Sequence, residues 1–371
     1  MKAKVTRKKH AKRRHLALLL PGHNEELIIA TTIRSAVVAG LDITDIYVVD
    51  DDSNDATRSI ALNMLPKKNV LTVPRSGKAG AVSQAIEHFG IVEKYIWVHV
   101  ADADSVFCAD YFRIYDKQLN ENEWSAAVGF VQSMRGNWIA TYRSFSYTYG
   151  QHIFRRLQSW AGVISVLPGP VTCFKTDIIK ELDFAAESLT EDFDLTLQIH
   201  RKHLGRIRFI PEAVNYTQDP RTLKDFISQT LRWQRGFFQG VKKYHIGLRP
   251  HMIDAGIGYQ MGESVYYLIQ LSLIIPLLIL SRDGAQTLLT VLAADFLAIS
   301  ALAVFAACAA RRPIIVLSLP YFYFLRFLEL GVFIWAFVEV VLLRKFKTVR
   351  HGWQTEGRRY EIETQDIGKL Q

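Results

Sequence analysis

The run Leu16-Ala17-Leu18-Leu19-Leu20, closed by Pro21-Gly22, decides how the rest of the chain reads. Ahead of it stand Lys2, Lys4, Arg7, Lys8, Lys9, Lys12, Arg13 and Arg14, with no acidic residue among the first fifteen. A basic leader followed by leucines imitates a secretory signal, but a signal core needs ~7–15 apolar residues and this run is shorter. It reads instead as a buried first strand, and residues 1–15 as a basic arm near anionic lipid headgroups. The arm lacks interleaved aromatics on which bases would stack, so nucleic acid is not an expected partner.

Working outward from that strand, short apolar runs alternate with helical stretches as far as about residue 210. A helix is expected from about Glu26, with Ile29, Ile33 and Val37 on one face and Gly40 as its stop. Strands are expected at 46–49, 70–73, 95–100 and 124–131, and helices near 56–65 and from Lys78, the latter aligning Val82, Ile86 and Phe89. Such alternation predicts an α/β domain on a largely parallel sheet. Asp50-Asp51-Asp52 and Asp102-Ala103-Asp104 then fall just past the C-terminal ends of two strands, the edge where open α/β sheets bind ligands.

The chain has 371 residues, a formal net charge of +9, 49% hydrophobic and 22% charged residues. Mean hydropathy is +0.07, high for a soluble protein, and the excess lies in residues 259–343, which excludes a secreted soluble protein. Cys108, Cys173 and Cys308 give neither a disulfide framework nor a metal knuckle, so a reducing compartment is expected. Residues 264–280 (with Pro276) and 287–310 (with Asp295 as the only charge) each approach the ~20 residues of a membrane crossing. Residues 314–343, interrupted by Pro320, Arg326 and Glu329, are too long for one straight crossing and short for two.

Arg311, Arg312 and the basic stretch 344–350 place both flanks in the cytoplasm, and 281–286 outside. The third block is therefore expected to return as a re-entrant or broken hairpin. Arg326 and Glu329 stand three apart and are expected to pair on one helical face, as a functional or a merely structural pair. Residues 236–258, with Phe237, Phe238, Lys242, Lys243 and Tyr244, read as a helix lying at the membrane interface. The layout is thus an arm (1–15), a catalytic domain (16–235), an interfacial segment (236–262), two to four membrane segments (263–343) and a basic cytoplasmic tail (344–371).

Three motifs carry chemistry. Asp102 and Asp104 offer hard oxygen donors two residues apart, the kind Mg²⁺ or Mn²⁺ prefers. Thr190-Glu191-Asp192 opens a helix, either as an N-cap with a favourable acidic first turn or as a functional carboxylate pair. Gln229, Arg232 and Trp233 occupy positions i, i+3 and i+4 of a predicted helix, presenting an amide, a guanidinium suited to phosphate and an indole suited to a sugar ring.

The ordered series Pro21-Gly22-His23-Asn24-Glu25-Glu26, Val48-Val49-Asp50-Asp51-Asp52-Ser53-Asn54-Asp55, Gly77-Lys78-Ala79-Gly80-Ala81, Asp102-Ala103-Asp104-Ser105, Gly169-Pro170, Thr190-Glu191-Asp192 and Gln229-x-x-Arg232-Trp233 resembles the membrane-integrated family 2 glycosyltransferases. These include synthases of hyaluronan, cellulose, chitin oligomers and poly-N-acetylglucosamine. The resemblance covers roughly residues 16–240. Trp353-Gln354-Thr355-Glu356-Gly357-Arg358-Arg359 is similar to the W-x-T-x-G-R segment of hyaluronan synthases, with a plain amphipathic tail as the alternative reading.

The resemblance implies a GT-A (Rossmann-like) catalytic domain followed by C-terminal transmembrane helices. It implies transfer from a UDP-sugar, with inversion, to a glycan or glycolipid acceptor at a cell membrane. Pro21, Asn24, Glu25, Asp50 and Asp51 are the implied nucleoside contacts, with Lys78 near the nucleotide. Asp104, helped by Asp102, is the implied ligand of Mg²⁺ or Mn²⁺ on the diphosphate. Asp192 is the implied general base with Glu191 beside it. Gly169, Gln229, Arg232 and Trp233 are implied for the diphosphate and the acceptor sugar.

Two departures stand out. Asp52 replaces the glycine many relatives carry, in a turn where Asp tolerates left-handed geometry. No hydrophobic segment precedes the catalytic domain in this sequence. With so few crossings, either the chain forms a homo-oligomer or its product is a short oligosaccharide or glycolipid. Single transfer to a membrane lipid is the alternative within the class, and a non-catalytic binding domain the alternative outside it.

Overall fold

The computed structural model describes residues 13–119, 124–184, 188–248, 251–280 and 283–344. Its frame is one eight-stranded sheet in the order β3-β2-β1-β4-β7-β6-β8-β5. The strands are β1 (Arg14–Gly22), β2 (Ile46–Asp51), β3 (Val70–Val73), β4 (Tyr95–Val100), β5 (Val106–Phe107), β6 (Trp124–Ser133), β7 (Thr172–Lys175) and β8 (Arg206–Thr217).

The leucine run forms the middle of β1, paired in parallel with β2 on one side and β4 on the other. Leu18, Leu19 and Leu20 have no exposed surface, because helices cover both faces of a parallel sheet. The strand's period of two splits its side chains between two cores. Ala17 and Leu19 pack with Val82, Ile86 and Phe89, whereas Leu16, Leu18 and Leu20 pack with Ile29, Ile33 and Ala36. The helix Ile29–Val38 thus covers one face and the helix Gly77–His88 the other. Val37, expected on the buried face, is 41% exposed. At 3.6 residues per turn, Ala36 lies nearer the stripe of Ile29 and Ile33 than Val37 does.

The largely parallel sheet holds for β1 to β4 and for β6 with β8. It fails at β7, antiparallel to both β4 and β6, and at β5, antiparallel to β8. Chain order reverses between β1 and β4, which makes the crevice beyond their C-terminal ends the expected ligand site. Asp52 does take the left-handed conformation, with φ of +60°.

Beyond the sheet, the helix Leu223–Lys243 runs without a break, so no separate interfacial helix begins at Gly236. Phe237 and Phe238 are buried, not membrane-facing: Phe237 stacks on Phe193 and Phe238 meets Phe333. The helices Met252–Leu280, with Pro276 inside it, and Gly284–Ala310 follow. Among the described residues, Gly284–Ala310 is the one helix long and apolar enough to cross a membrane. Side chains along it such as Leu289 and Leu297 are more than two-thirds exposed.

The third apolar block is not a hairpin. After a short helix Ile314–Leu317 and a turn at Ser318, it runs as one helix Leu319–Phe337, continued by a π-helical turn Val338–Leu342. Pro320 sits in the first turn, where a missing N–H costs nothing. Of the expected Arg326–Glu329 pair, Arg326 lies 3.9 Å from Asp295 of the helix Gly284–Ala310, and Glu329 binds Arg143. The arm's first twelve residues and the tail with its Trp353–Arg359 motif lie outside the described residues.

Leu19→Ala removes a fully buried side chain from β1. It is expected to destabilise the domain by about 2–5 kcal/mol, read as a lower thermal midpoint in detergent. An unchanged midpoint would show that the strand is not part of the cooperative core.

Candidate active site

The site is built where β1, β2 and β4 end. Asp50 and Asp51 close β2 and are buried. A buried carboxylate must be hydrogen-bonded, and Asp51 accepts from the Ser76 amide at 2.7 Å, the Ser76 hydroxyl at 3.2 Å and the Gly77 amide at 3.0 Å. It therefore caps the helix Gly77–His88, which has no cap of its own from Ser76. Implied as a nucleoside contact, Asp51 holds the start of the helix that carries Lys78. Asp50 accepts the Ser53 amide at 3.3 Å.

The loop after β1 is stitched to the loop after β2. Pro21 lies in register with Val49. Asn24, with φ of +56°, donates its amide to Ser53 and accepts that of Asn54, both at 2.9 Å. The buried Glu25 donates its amide to Thr57 at 2.6 Å. These bonds leave a rigid pair of loops at the switch point of the sheet.

Lys78 brings the separate motifs together. Its ammonium contacts Asp102 from the loop after β4 and lies 3.5 Å from Glu191. Burial acts to lower the Lys78 pKa, but Asp102 and then Glu191 outweigh it and hold the ammonium above its ordinary range. Gly169, just ahead of β7, packs against this contact: a methyl there would meet the Lys78 ammonium and the Asp102 carboxylate. Asp104 stands two residues beyond Asp102, and both are half-buried.

Asp192 lies in the first turn of the helix Glu191–Arg201. Burial, and then the charge of Glu191, push its carboxyl up to about 6, against the opposing pull of Lys78 and Arg232. Thr190 occupies the N-cap position without capping. Asp192 itself accepts the Phe193 amide at 2.8 Å, the donor a cap would take. Thr190 is instead pressed against Gly236, where any Cβ would collide with it, and Phe193 stands likewise against Gly240.

The three side chains of the Gln229 motif do not share one open face. Arg232 turns back to donate to the Leu189 carbonyl at 3.0 Å, on the Asp192 side. Gln229 and Trp233 share a residue the sequence reading missed, Arg143 of the helix Trp138–Tyr149. Its guanidinium donates to Gln229 at 3.4 Å and Thr230 at 2.8 Å, and lies 4.8 Å from the Trp233 ring centre. The signal available was a lone cation inside the aromatic stretch Tyr142-Arg143-Ser144-Phe145. Arg155, also missed, ends a π-helical stretch, donates to the Val166 carbonyl at 3.0 Å and feels the charge of Asp192.

Residues 13–236 match the model of the family described as glycosyltransferase like family 2. The chain belongs to that family. The chain is 29% identical over 235 residues to the probable glycosyltransferase YdaM of Bacillus subtilis, covering 60% of this chain and 54% of the relative. It is 23% identical over 231 residues to the poly-beta-1,6-N-acetyl-D-glucosamine synthase of Staphylococcus aureus, with the same two coverages. The chain thus spans about half the length of these curated relatives. The mannosyltransferase PcManGT from Pyrobaculum calidifontis, solved with GDP-Man and Mn²⁺, superposes with a TM-score of 0.55 at 16% identity, covering 88% of this chain and 87% of that one. That likeness shows the GT-A type of fold.

A divalent cation fits the donor set of the glycosyltransferase in one way. Among the described residues no three His, Cys, Asp or Glu side chains gather as a metal site. Asp102 and Asp104 supply two hard oxygen donors at one strand end, so diphosphate oxygens and water would complete the shell, as Mg²⁺ favours.

Gly236→Ala must drive the helix Leu223–Lys243 away from Thr190. Overpacking of this kind costs about 1–3 kcal/mol, so a lower thermal midpoint in detergent is expected. An unchanged midpoint would show that the two helices are not in close contact.

Proposed function

We propose that this glycosyltransferase is a membrane-bound inverting enzyme that moves a hexose or N-acetylhexosamine from a UDP-sugar onto a growing β-linked glycan. The observation that carries the reading is the cluster of Lys78, Asp102, Glu191 and Asp192 at the switch point of the sheet, with the charge of Arg232 acting on Asp192. Lys78 and Arg232 are cations that a sugar diphosphate would meet, and Asp192 is a carboxylate tuned towards proton transfer. The named activity of the staphylococcal relative, a polymer of β-linked N-acetylglucosamine, supports the choice of product class.

The residues divide the work. Lys78 binds the donor diphosphate, with Arg232 on its acceptor side. Asp104 and Asp102 would hold a divalent cation, Mg²⁺ or Mn²⁺, which would supply neutralisation of the charge left on the diphosphate. Asp192 accepts the proton of the acceptor hydroxyl as its oxygen bonds to the anomeric carbon and the bond to the diphosphate breaks, which inverts that centre. Glu191 raises the basicity of Asp192, and Trp233 stacks on the acceptor sugar.

The apolar helix Gly284–Ala310 and its exposed side chains support attachment to a membrane, and Arg311 and Arg312 at its end support a cytoplasmic catalytic domain. A multi-pass C-terminal region and assembly into a homo-oligomer complete the reading. UDP release from detergent-purified protein, tested over a panel of UDP-sugars with and without Mn²⁺ and followed by product sizing, checks it. Metal-dependent release with one donor and a ladder of products is expected; a single product would indicate one-step transfer to a lipid, and no release would overturn the reading.

Asp192→Asn is expected to leave UDP affinity nearly intact while transfer falls by ~10²–10⁴; unchanged turnover would remove Asp192 from the role of base. In the parent enzyme transfer is expected to rise as pH climbs through about 6, because only ionised Asp192 takes the proton. Glu191→Gln removes a neighbouring negative charge, so this acid limb is expected at lower pH. A limb that stays in place would mean that Glu191 does not act on the titrating group.

A further inference from the structure

Glu329 lies near the middle of the helix Leu319–Phe337, far along the chain from every motif of the catalytic domain. Its carboxylate accepts from the Tyr142 hydroxyl at 2.6 Å and from Arg143 at 3.0 Å. The Arg143 side chain is only 5% exposed. Its other terminal nitrogen donates to Thr230 and Gln229, and its guanidinium lies 4.4 Å from the Phe226 ring centre and 4.8 Å from that of Trp233. One planar cation thus touches both the amide and the indole of the Gln229–Trp233 motif.

A buried guanidinium among aromatic rings stays in place only if its charge is met. Glu329 meets it, and its bond from one terminal nitrogen, with those from the other to Thr230 and Gln229, fixes the plane of the guanidinium, while Tyr142 holds the carboxylate. The plane in turn fixes the indole through a cation–π contact, strongest when desolvated, and the Gln229 amide through a hydrogen bond. A second ion pair ties the helix Leu223–Lys243 to the π-helical turn Val338–Leu342, Arg235 with Glu339 at 2.6 Å. It is more exposed, and it serves as an internal comparison because the Glu339 carboxylate bonds to Arg235, which lies outside the motif.

We propose that Glu329 and Arg143 are positioning residues for the acceptor end of the site, so that the C-terminal helix sets the orientation of Trp233 and Gln229. This rests on the reading of Trp233 as an acceptor-side group. It makes the apolar C-terminal part a component of the catalytic machinery as well as an anchor.

The test uses the full chain in detergent, with UDP-N-acetylglucosamine as donor and a β-linked N-acetylglucosamine oligomer as acceptor. Glu329→Gln keeps the size of the side chain and loses its charge. The acceptor KM is expected to rise roughly tenfold, with donor KM and acceptor-independent UDP release unchanged. Glu329→Asp is expected to recover most of the loss, and Glu339→Gln to leave both KM values alone. Equal changes in donor and acceptor KM, or the same response from Glu339→Gln, would overturn the assignment and leave a merely structural link.

If Glu329→Gln fails to fold, Arg143→Lys keeps the charge and loses the planar stack. The same rise in acceptor KM is then expected, and an unaltered KM overturns the assignment. If the parent protein turns over no donor, the functional reading fails separately. Positioning is then read from the emission of Trp233, taken as the difference from Trp233→Phe. A spectral shift on Glu329→Gln supports the link and an unchanged spectrum overturns it.

Discussion

The ammonium of Lys78 is the point on which the catalytic edge depends. Asp102, Glu191 and Asp192 come from two distant parts of the chain and would repel one another in a partly buried site. Lys78 makes their gathering tolerable, and three further devices hold it there. Asp51 caps its helix, β1 and β2 fix the loops beside it, and Gly169 leaves room for the contact with Asp102. The antiparallel course of β7 belongs to the same arrangement, since it brings the beginning of that strand, and hence Gly169, to the edge where β4 ends.

The C-terminal helices are bound to the catalytic domain by charge as well as by packing. Glu329 meets Arg143, Glu339 meets Arg235, and Arg312 donates to Ser144. Around these lie ring contacts such as Phe145 on Phe322 and Phe238 on Phe333. Charges on an apolar helix are costly wherever they lack partners, and here several of their partners stand on the domain that carries the site. The two halves of the molecule thus read as one folding unit more than as a domain and a tether.

Much of this was legible in the sequence, for identifiable reasons. The leucine run at 16–20 and the strand at 95–100 have sharp boundaries and two-sided burial, and 70–73 is a short apolar run, so apolar pattern alone finds them. The motif residues could be assigned to strand ends and helix starts because local chemistry dictates those positions. What failed was whatever depends on distant partners. Val37 misled because a two-turn stripe has room for only one of two adjacent apolar residues, and Ala36 took the place. β7 is four residues long and carries no periodic signal. Arg326 and Glu329 suit one another in spacing, and spacing could not foretell that Asp295 and Arg143 on other helices face them as well. Arg143 shows in the sequence only as a cation among aromatics, because its four polar and aromatic partners on the Leu223–Lys243 helix lie more than eighty residues away.

The glycines at 236 and 240 have a consequence for movement. Their bare backbones let the helix Leu223–Lys243 lie directly on Thr190 and Phe193, the residues that flank Glu191 and Asp192. Two helices in such close contact do not slide past one another without lifting apart. The Asp192 carboxylate and the Trp233 indole therefore travel as a single body, riding with the C-terminal helices. Any opening of the site must then occur along the seam of ionic contacts at Lys78, which water can enter and reform, and not along the seam of helix on helix.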